Sequence, residues 1–218
     1  AHDSFEHAGA AGGFIDRFGY PFCRGRLLNV LEKDHGQYDT VRSLFWATGA
    51  ALMVRPADWN AAGGFDARFF AHFEEIDFCW RLRARARKIV CVTDSVVYHV
   101  GGGTLPADNP RKTYLNFRNS LTMLYKNLPD DELQHVLCVR KWLDGMAWFK
   151  FFVSGDFANA KAVRRARNDF HKWKHQFDPE RKKNLEATTL FDIPERIQRS
   201  LIYAFYVQGK KTFAQFMS

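Results

Sequence analysis

Three carboxylates stand close together at Glu74, Glu75 and Asp77, in the order Glu-Glu-Ile-Asp. A carboxylate whose pKa is shifted by its surroundings can act as a general base. On a helix, Glu74 and Asp77 would share a face and Glu75 would point elsewhere. The helix dipole also favours acids in a first turn, and Asp77 can pair with Arg81 at i,i+4. The cluster therefore fits either an ordinary charged helix start or a site of proton transfer.

A histidine and a glycine triplet follow this acidic cluster, at His99, Gly101, Gly102 and Gly103. A neutral imidazole is a common ligand for divalent metals, although a single histidine at a strand end is more often structural. Glycines permit positive φ angles and leave bare amides that can approach a diphosphate. Together these residues suit a metal-bound diphosphate, but each alone is a weak signal.

Two arginines beyond the glycines, Arg111 and Arg118, could add positive charge for phosphate binding. They fall in a segment of helical period that is predicted to run over residues 109–127. Two further helices are expected over residues 130–153 and 157–177, the first of them capped by an aspartate pair. The C-terminal half of the chain is thus predicted to be nearly all helix.

The N-terminal half has an α/β pattern. Residues 1–43 are predicted to be loop with short structured pieces, and residues 44–54 a buried strand bent near Gly49. A helix is expected over 74–87, and two short strands or one kinked strand over 88–99. Two to four strands that come late in the chain are too few for a complete doubly wound sheet.

Charge divides the chain in the same way. Residues 1–103 carry 12 Lys and Arg against 12 Asp and Glu, and residues 104–218 carry 20 against 12, so the second part holds the whole net charge of +8. Aromatic residues are interleaved with these basic residues. We predict a partial α/β domain at 1–103 and a helical, basic, aromatic-rich region at 104–218. That region is either a surface for anionic lipid or nucleic acid, or a solvated basic face over an aromatic core.

The four cysteines, Cys23, Cys79, Cys91 and Cys138, are scattered and form no C-x-x-C pair. Free thiols in a reducing compartment are therefore expected, and a cysteine zinc site is not. No apolar run approaches the ~18 residues that a membrane-spanning helix needs. The first residues lack the apolar core of a signal peptide.

The order of these features resembles the family 2 glycosyltransferases of the inverting GT-A fold, in particular bacterial rhamnosyltransferase-like members. In that family a G-A strand with a downstream arginine, a G-G-F-D segment, an acidic E-D-x-D helix and a V-x-H-x-G-G strand end follow one another. The matching residues are Gly49-Ala50 with Arg55, Gly63 to Asp66, Phe69-Phe70, Glu74 to Asp77 with Arg81, and Val97 to His99 with Gly101 to Thr104. The match is dense over residues 44–127 and implies the acceptor-side part of a GT-A fold.

The resemblance implies roles for the acidic residues. In such enzymes the second acid of the pair is the usual catalytic base, which deprotonates the acceptor hydroxyl for in-line attack on the anomeric carbon. That position is Glu75 here, where the family usually has Asp, and the extra methylene changes its reach by about 1.5 Å. Glu74 and Asp77 would shape the acceptor pocket, and Arg81 belongs to the same motif.

The resemblance also implies a metal and an acceptor wall. His99 matches the histidine that completes the coordination of a divalent metal, Mg²⁺ or Mn²⁺, on the nucleotide diphosphate. Trp46, Thr48 and Gly49 match the strand that lines the acceptor side of the cleft. No D-x-D motif, which would hold the metal in the donor half, precedes Trp46. We therefore expect this chain to be the C-terminal part of a longer transferase, inactive alone, with metal bound only in the complete enzyme.

The expected partners are a nucleotide-sugar donor and a glycan or lipid-linked acceptor of cell-surface polysaccharide synthesis. The expected place is the cytoplasm, or the inner face of the cytoplasmic membrane with peripheral contact through residues 104–218. A helical docking module without catalysis is the alternative. Nucleic acid is not expected, because no recognised motif appears and the first half is neutral. An incomplete sheet edge favours pairing with a second copy of the chain.

Overall fold

The structure, a computed structural model, describes residues 4–5, 11–97 and 109–218. Helix and sheet are mixed along these residues, which agrees with an α/β class. The chain separates into two compact units. The sheet unit comprises the described residues within Ala1–Gly64, Phe78–His99 and Thr189–Ser218, and the helical unit those within Phe65–Asp77 and Val100–Thr188.

The strands are short, and the helices are longest in the second half of the chain. Among the described residues the strands are β1 (Gly13–Asp16), β2 (Pro21–Cys23), β3 (Arg26–Leu27), β4 (Val30–Leu31), β5 (Arg42–Leu44), β6 (Ile89–Cys91) and β7 (Arg196–Ile197). The helices there are α1 (Pro56–Ala62), α2 (Glu74–Ala84), α3 (Pro110–Asn127), α4 (Asp130–Val153), α5 (Phe157–Trp173), α6 (Asp178–Glu186), α7 (Leu201–Tyr206) and α8 (Phe213–Met217).

The sheet unit contains a five-stranded sheet, within the described residues, in the order β4-β3-β2-β1-β7. Its first four strands form an antiparallel meander, and β7 joins β1 in parallel. A second, antiparallel pair is formed by β5 and β6. The prediction that strands come late in the chain is wrong, because four of them precede residue 32. Strands of two to four residues offer too few alternations for a period to show in sequence.

Aromatic side chains form the core beside β1. Phe14 of β1 lies 5.1 Å from Phe213, and Phe22 of β2 lies 4.9 Å from Phe216, measured between ring centroids. All four rings are buried. Helix α8 and strand β7 thus belong to the sheet unit, whereas the sequence predicts one helical region from residue 104 to the end.

The predicted strand over residues 44–54 is wrong except at Leu44, the last residue of β5. Strand β5 ends at Leu44, and Thr48 caps a 3-10 helix at Gly49–Ala51. Between them, the Trp46 indole donates a 2.8 Å hydrogen bond to the Phe14 carbonyl. The indole lies so close to β1 that a Cβ on Gly13 would stand 2.1 Å from its ring.

Three helices of the helical unit, α3, α4 and α5, match their predicted positions, whereas α6 (Asp178–Glu186) was not predicted. Asn109 accepts from the Arg111 amide and caps α3, and α4 spans the predicted residues from Asp130 to Val153. Helix α5 stops at Trp173 and continues as a 3-10 turn to Phe177. Helix α2 ends at Ala84, three residues earlier than predicted.

The inner side of α4 carries charge. Arg140 and Asp144 are both buried and form an i,i+4 ion pair at 3.1 Å. Arg167 of α5 contacts the other oxygen of Asp144, and Arg140 donates to the Ser120 hydroxyl of α3 at 2.9 Å. Ion pairs therefore stand at this junction where apolar packing is usual.

Two negative expectations concern the whole chain. No disulfide joins any of the four cysteines, all of which are described, and two of them are buried. Within residues 4–5, 11–97 and 109–218, no helix has the length and hydrophobicity needed to cross a bilayer.

We expect Gly13→Ala to lower the free energy of unfolding by about 1–3 kcal/mol, because its Cβ would overlap the buried Trp46 ring. Thermal unfolding followed by circular dichroism measures the change. Gly145→Ala is the matched control, since a Cβ there meets nothing within 4 Å and alanine favours a helix interior by roughly 1 kcal/mol. Equal effects of the two substitutions would contradict this account of Gly13.

Candidate functional site

The acidic cluster begins α2 directly after a strained loop of the helical unit. Phe70, His72 and Phe73 have φ angles of 68°, 67° and 72°. Left-handed backbone costs a bulky side chain on the order of 1–3 kcal/mol per residue. Three such residues in a run of four therefore persist only because contacts around them hold the loop.

Asn119 of α3 supplies the main restraint. Its side-chain amide nitrogen lies within hydrogen-bond distance of three loop carbonyl oxygens, those of Phe69 at 3.0 Å, Ala71 at 2.9 Å and His72 at 2.7 Å. The amide is buried. An amide that meets several backbone carbonyls fixes the path of the loop, since none of them can turn to water without loss of a buried hydrogen bond.

Arg118 adds to this restraint. Its guanidinium donates to the carbonyls of Arg68 and Phe69 at 3.1 and 3.0 Å and lies over the Trp173 ring at 5.0 Å. The sequence predicts phosphate binding by Arg118, but the structure buries its guanidinium among loop carbonyls and aromatic rings. Its observed contacts position the loop.

The base expected from the sequence, Glu75, lies in the first turn of α2. Its Oε2 atom is buried without a hydrogen-bond partner. Burial, followed by the charge of Glu74, raises the pKa of Glu75 from 4.5 to about 7. A carboxylate with this pKa is protonated about half the time at neutral pH, which suits a group that must accept and release a proton.

Glu74 and His72 share this environment. Glu74 Oε2 and His72 Nε2 are also buried and without partners, so three unsatisfied polar atoms lie within four residues. Burial raises the pKa of Glu74, and burial followed by the charge of Lys112 lowers that of His72. Unsatisfied buried polar groups are rare in proteins and need an explanation. A polar ligand that completes their hydrogen bonds would explain these groups.

His72 is a polar residue of this site that its sequence pattern does not reveal. The one feature of the sequence that could have indicated His72 is its position two residues before the Glu74–Glu75 pair, within the segment that resembles the glycosyltransferase motif. Its strained backbone is held by the bond from Asn119 of α3 to its carbonyl, a contact with a residue far along the chain.

Asp77 has a different environment from its neighbours. It is fully buried, and its two oxygens accept from Lys126 at 2.9 Å and from Asn127 at 2.8 Å. Lys126 also contacts Asp66 at 2.9 Å. The observed contacts of Asp77 join the first turn of α2 to the end of α3, whereas the sequence places this residue in an acceptor pocket.

Of the two arginines predicted to bind phosphate, Arg118 is buried and Arg111 is exposed. Arg111 lies near the start of α3, and its guanidinium lies 4.5 Å from the ring of Phe70 in the strained loop. Arg111 therefore stands at the rim of the loop that leads to Glu75.

The sheet unit holds the remaining described residues of the prediction. Trp46 is only 4% exposed, Thr48 caps a 3-10 turn, and Gly49 is exposed within that turn. The Arg81 guanidinium is buried and donates to the carbonyls of Ala62 and Gly64. Arg81 thus supports the Gly63–Gly64 turn that ends α1.

The predicted metal ligand and phosphate loop, His99 and Gly101 to Gly103, lie outside the described residues. Within the described part of the chain, no three His, Cys, Asp or Glu side chains are grouped to hold a metal. The described residues alone do not form the expected metal site.

The chain has a distant similarity to a known protein. The chain is 26% identical over 103 residues to the O-antigen biosynthesis protein RfbC of Myxococcus xanthus, a match that covers 47% of this chain. The chain spans about 8% of that protein's length. No family model matches the chain, and no solved structure matches it.

We expect Glu75→Gln to raise the free energy of unfolding near pH 8 and to change it little near pH 4. The folded state keeps a proton between the ordinary pKa of 4.5 and about 7 that the unfolded state releases, so stability falls as pH rises through this window. The gain near pH 8 is on the order of 2 kcal/mol. Urea unfolding at both pH values measures it, with exposed Glu186→Gln as the control. An effect of Glu75→Gln that does not depend on pH would contradict the raised pKa.

Asn119→Ala is expected to lower the free energy of unfolding by roughly 3 kcal/mol, because buried carbonyls lose their donor. The loosened loop should also admit water and bring the pKa of Glu75 back towards 4.5. Urea unfolding and carbon-13 NMR of the glutamate carboxyls measure the two effects. Asn168→Ala, at an exposed position of α5, is the control. A folded Asn119→Ala variant with the Glu75 pKa unchanged would show that Asn119 does not support the site.

Proposed function

We propose that this chain takes part in polysaccharide biosynthesis as the acceptor side of an inverting, sugar-nucleotide-dependent glycosyltransferase, with Glu75 as its general base. The observation that carries the proposal is the buried, unpartnered Glu75 oxygen with its pKa raised to about 7. The motif order and the distant similarity to an O-antigen biosynthesis protein support the same reaction class.

The reaction follows from the protonation state of Glu75. The carboxylate accepts the proton of an acceptor hydroxyl, and the freed oxygen attacks the anomeric carbon from the side opposite the nucleotide. The bond from that carbon to the diphosphate oxygen breaks, and the nucleoside diphosphate leaves with the electron pair. A single in-line displacement inverts the anomeric configuration. Proton acceptance by a group with a pKa near the working pH is worth about 10²–10⁴-fold in rate.

Glu74 has a supporting role in this proposal. Its negative charge contributes to the raised pKa of Glu75, which makes Glu75 the stronger base when it is ionised. Arg111, at the rim of the loop, is the cation available to meet a phosphate or an acidic acceptor. The resemblance assigns a divalent metal to His99, and a bound metal would stabilise the charge that develops on the diphosphate.

A docking module without catalysis is the second candidate function. The observation in its favour is the exposed apolar face of α4, which proton transfer at Glu75 does not use. Such a module would leave the buried, unpartnered oxygens at Glu74 and Glu75 without a purpose. The catalytic proposal accounts for them.

In the complete enzyme that we propose contains this chain, Glu75→Gln should lower sugar transfer by about 10²–10⁴-fold. Glutamine keeps the shape of the side chain and cannot accept the proton. The assay measures nucleoside diphosphate released from a panel of nucleoside diphosphate sugars, and circular dichroism verifies folding.

Glu74→Gln is the matched control for this experiment. It should retain transfer and move the acid limb of the pH–rate profile to lower pH, because the charge that raises the Glu75 pKa is gone. Near-normal turnover of a folded Glu75→Gln enzyme would show that another group is the base.

A further inference from the structure

The outer side of α4 is apolar, although its inner side carries the buried Arg140–Asp144 pair. Trp142, Met146, Phe149 and Val153 follow one another at spacings of four and three residues, which places them on one face of the helix. Their exposed fractions lie between 59% and 73%. Contiguous exposed apolar residues of this size mark an interaction surface.

Aromatic rings extend this face to the turn between α4 and α5. Trp148 stacks on Phe152 at 5.3 Å, and Phe152 meets Phe157 edge-on at 5.5 Å. Phe152 and Phe157 are themselves exposed. The rings pack on one another and leave one side open to solvent. The term aromatic face refers below to Trp142, Met146, Trp148, Phe149, Phe152, Val153 and Phe157.

The exposed charges next to the aromatic face on α4 and α5 are positive. In residues 133–164, all of them described, the exposed charged side chains are Lys141, Lys150, Lys161 and Arg164. The two acids of this segment, Asp144 and Asp156, are not exposed. Asp144 is fully buried, and Asp156 caps α5. Beyond this segment, Asp169 pairs with Arg165 at 3.5 Å, and the exposed Asp130 and Asp131 stand in the first turn of α4, about three turns before Trp142.

The like charges decide between occupants. A second copy of the chain on this face would bring two basic surfaces together, which costs free energy. An apolar segment of a protein would cover the aromatic side chains but would offer no negative charge to the neighbouring Lys141 and Lys150. An anionic bilayer offers both an apolar phase for Trp and Phe and negative headgroups for Lys and Arg.

We propose that the aromatic face and its surrounding cations bind the surface of an anionic lipid bilayer, with α4 lying in the plane of the interface. Trp142, Met146 and Phe149 enter the boundary between headgroups and acyl chains. Lys141 and Lys150 flank them and reach the headgroup phosphates. This proposal does not depend on the chemistry at Glu75.

The test is co-sedimentation of the chain with vesicles of phosphatidylcholine and phosphatidylglycerol in equal parts, with vesicles of phosphatidylcholine alone as reference. At low salt the chain should bind the anionic vesicles at least about tenfold more strongly, and high salt should weaken that binding. Trp142→Ser with Phe149→Ser, and separately Lys141→Glu with Lys150→Glu, should each reduce binding at least about tenfold.

The matched control is Met53→Ser with Lys88→Glu, which changes an exposed apolar residue and an exposed cation of the sheet unit. It should bind like the unchanged chain. No vesicle binding at low salt, or equal binding by the Trp142 and Phe149 variant, would overturn the proposal. A dimer in sedimentation velocity that the same variant converts to monomer would assign the face to a second copy. Polynucleotide binding that needs only the lysines would assign the cations to nucleic acid.

Discussion

The hydrogen bonds from Asn119 to the loop carbonyls are the constraint on which the candidate site depends. Left-handed conformations at Phe70, His72 and Phe73 are unfavourable without external support. The buried amide of Asn119 and the guanidinium of Arg118 supply that support from α3. The loop in turn sets where α2 begins, and therefore where the carboxylates of its first turn stand.

Asp77 and Glu75, both in the first turn of α2, differ in whether their carboxylate oxygens have partners. Asp77 is buried with partners, so its charge is balanced by Lys126 and it holds the helix in place. Glu75 has a buried oxygen without a partner, so the folded protein resists its ionisation. A satisfied charge contributes to structure, whereas an unsatisfied one stores free energy that a bound hydroxyl can release.

Helix positions in the helical unit could be predicted from sequence, because α3, α4 and α5 are long enough for the 3.6-residue period and have clear caps such as Asn109. The strands could not, since β3, β4 and β7 have two residues each and depend on pairing between distant segments. The face of α4 was also beyond sequence analysis. Its apolar residues recur with a helical period. They face solvent, because Arg140 and Asp144 occupy the inner side of the helix.

The sequence by itself determined the type and order of the chemical groups: a pair of glutamates at a helix start, after a G-G-F-D segment and before a histidine and glycines. Chain order is local information, and motifs of this kind are local. Only the tertiary structure decided which acid is paired and which keeps a buried oxygen without a partner. Burial and hydrogen-bond partners come from residues far away in the chain, such as Asn119 and Lys126. Lys126 forms an ion pair with Asp77, and Asn119 positions the strained loop that leads to Glu75.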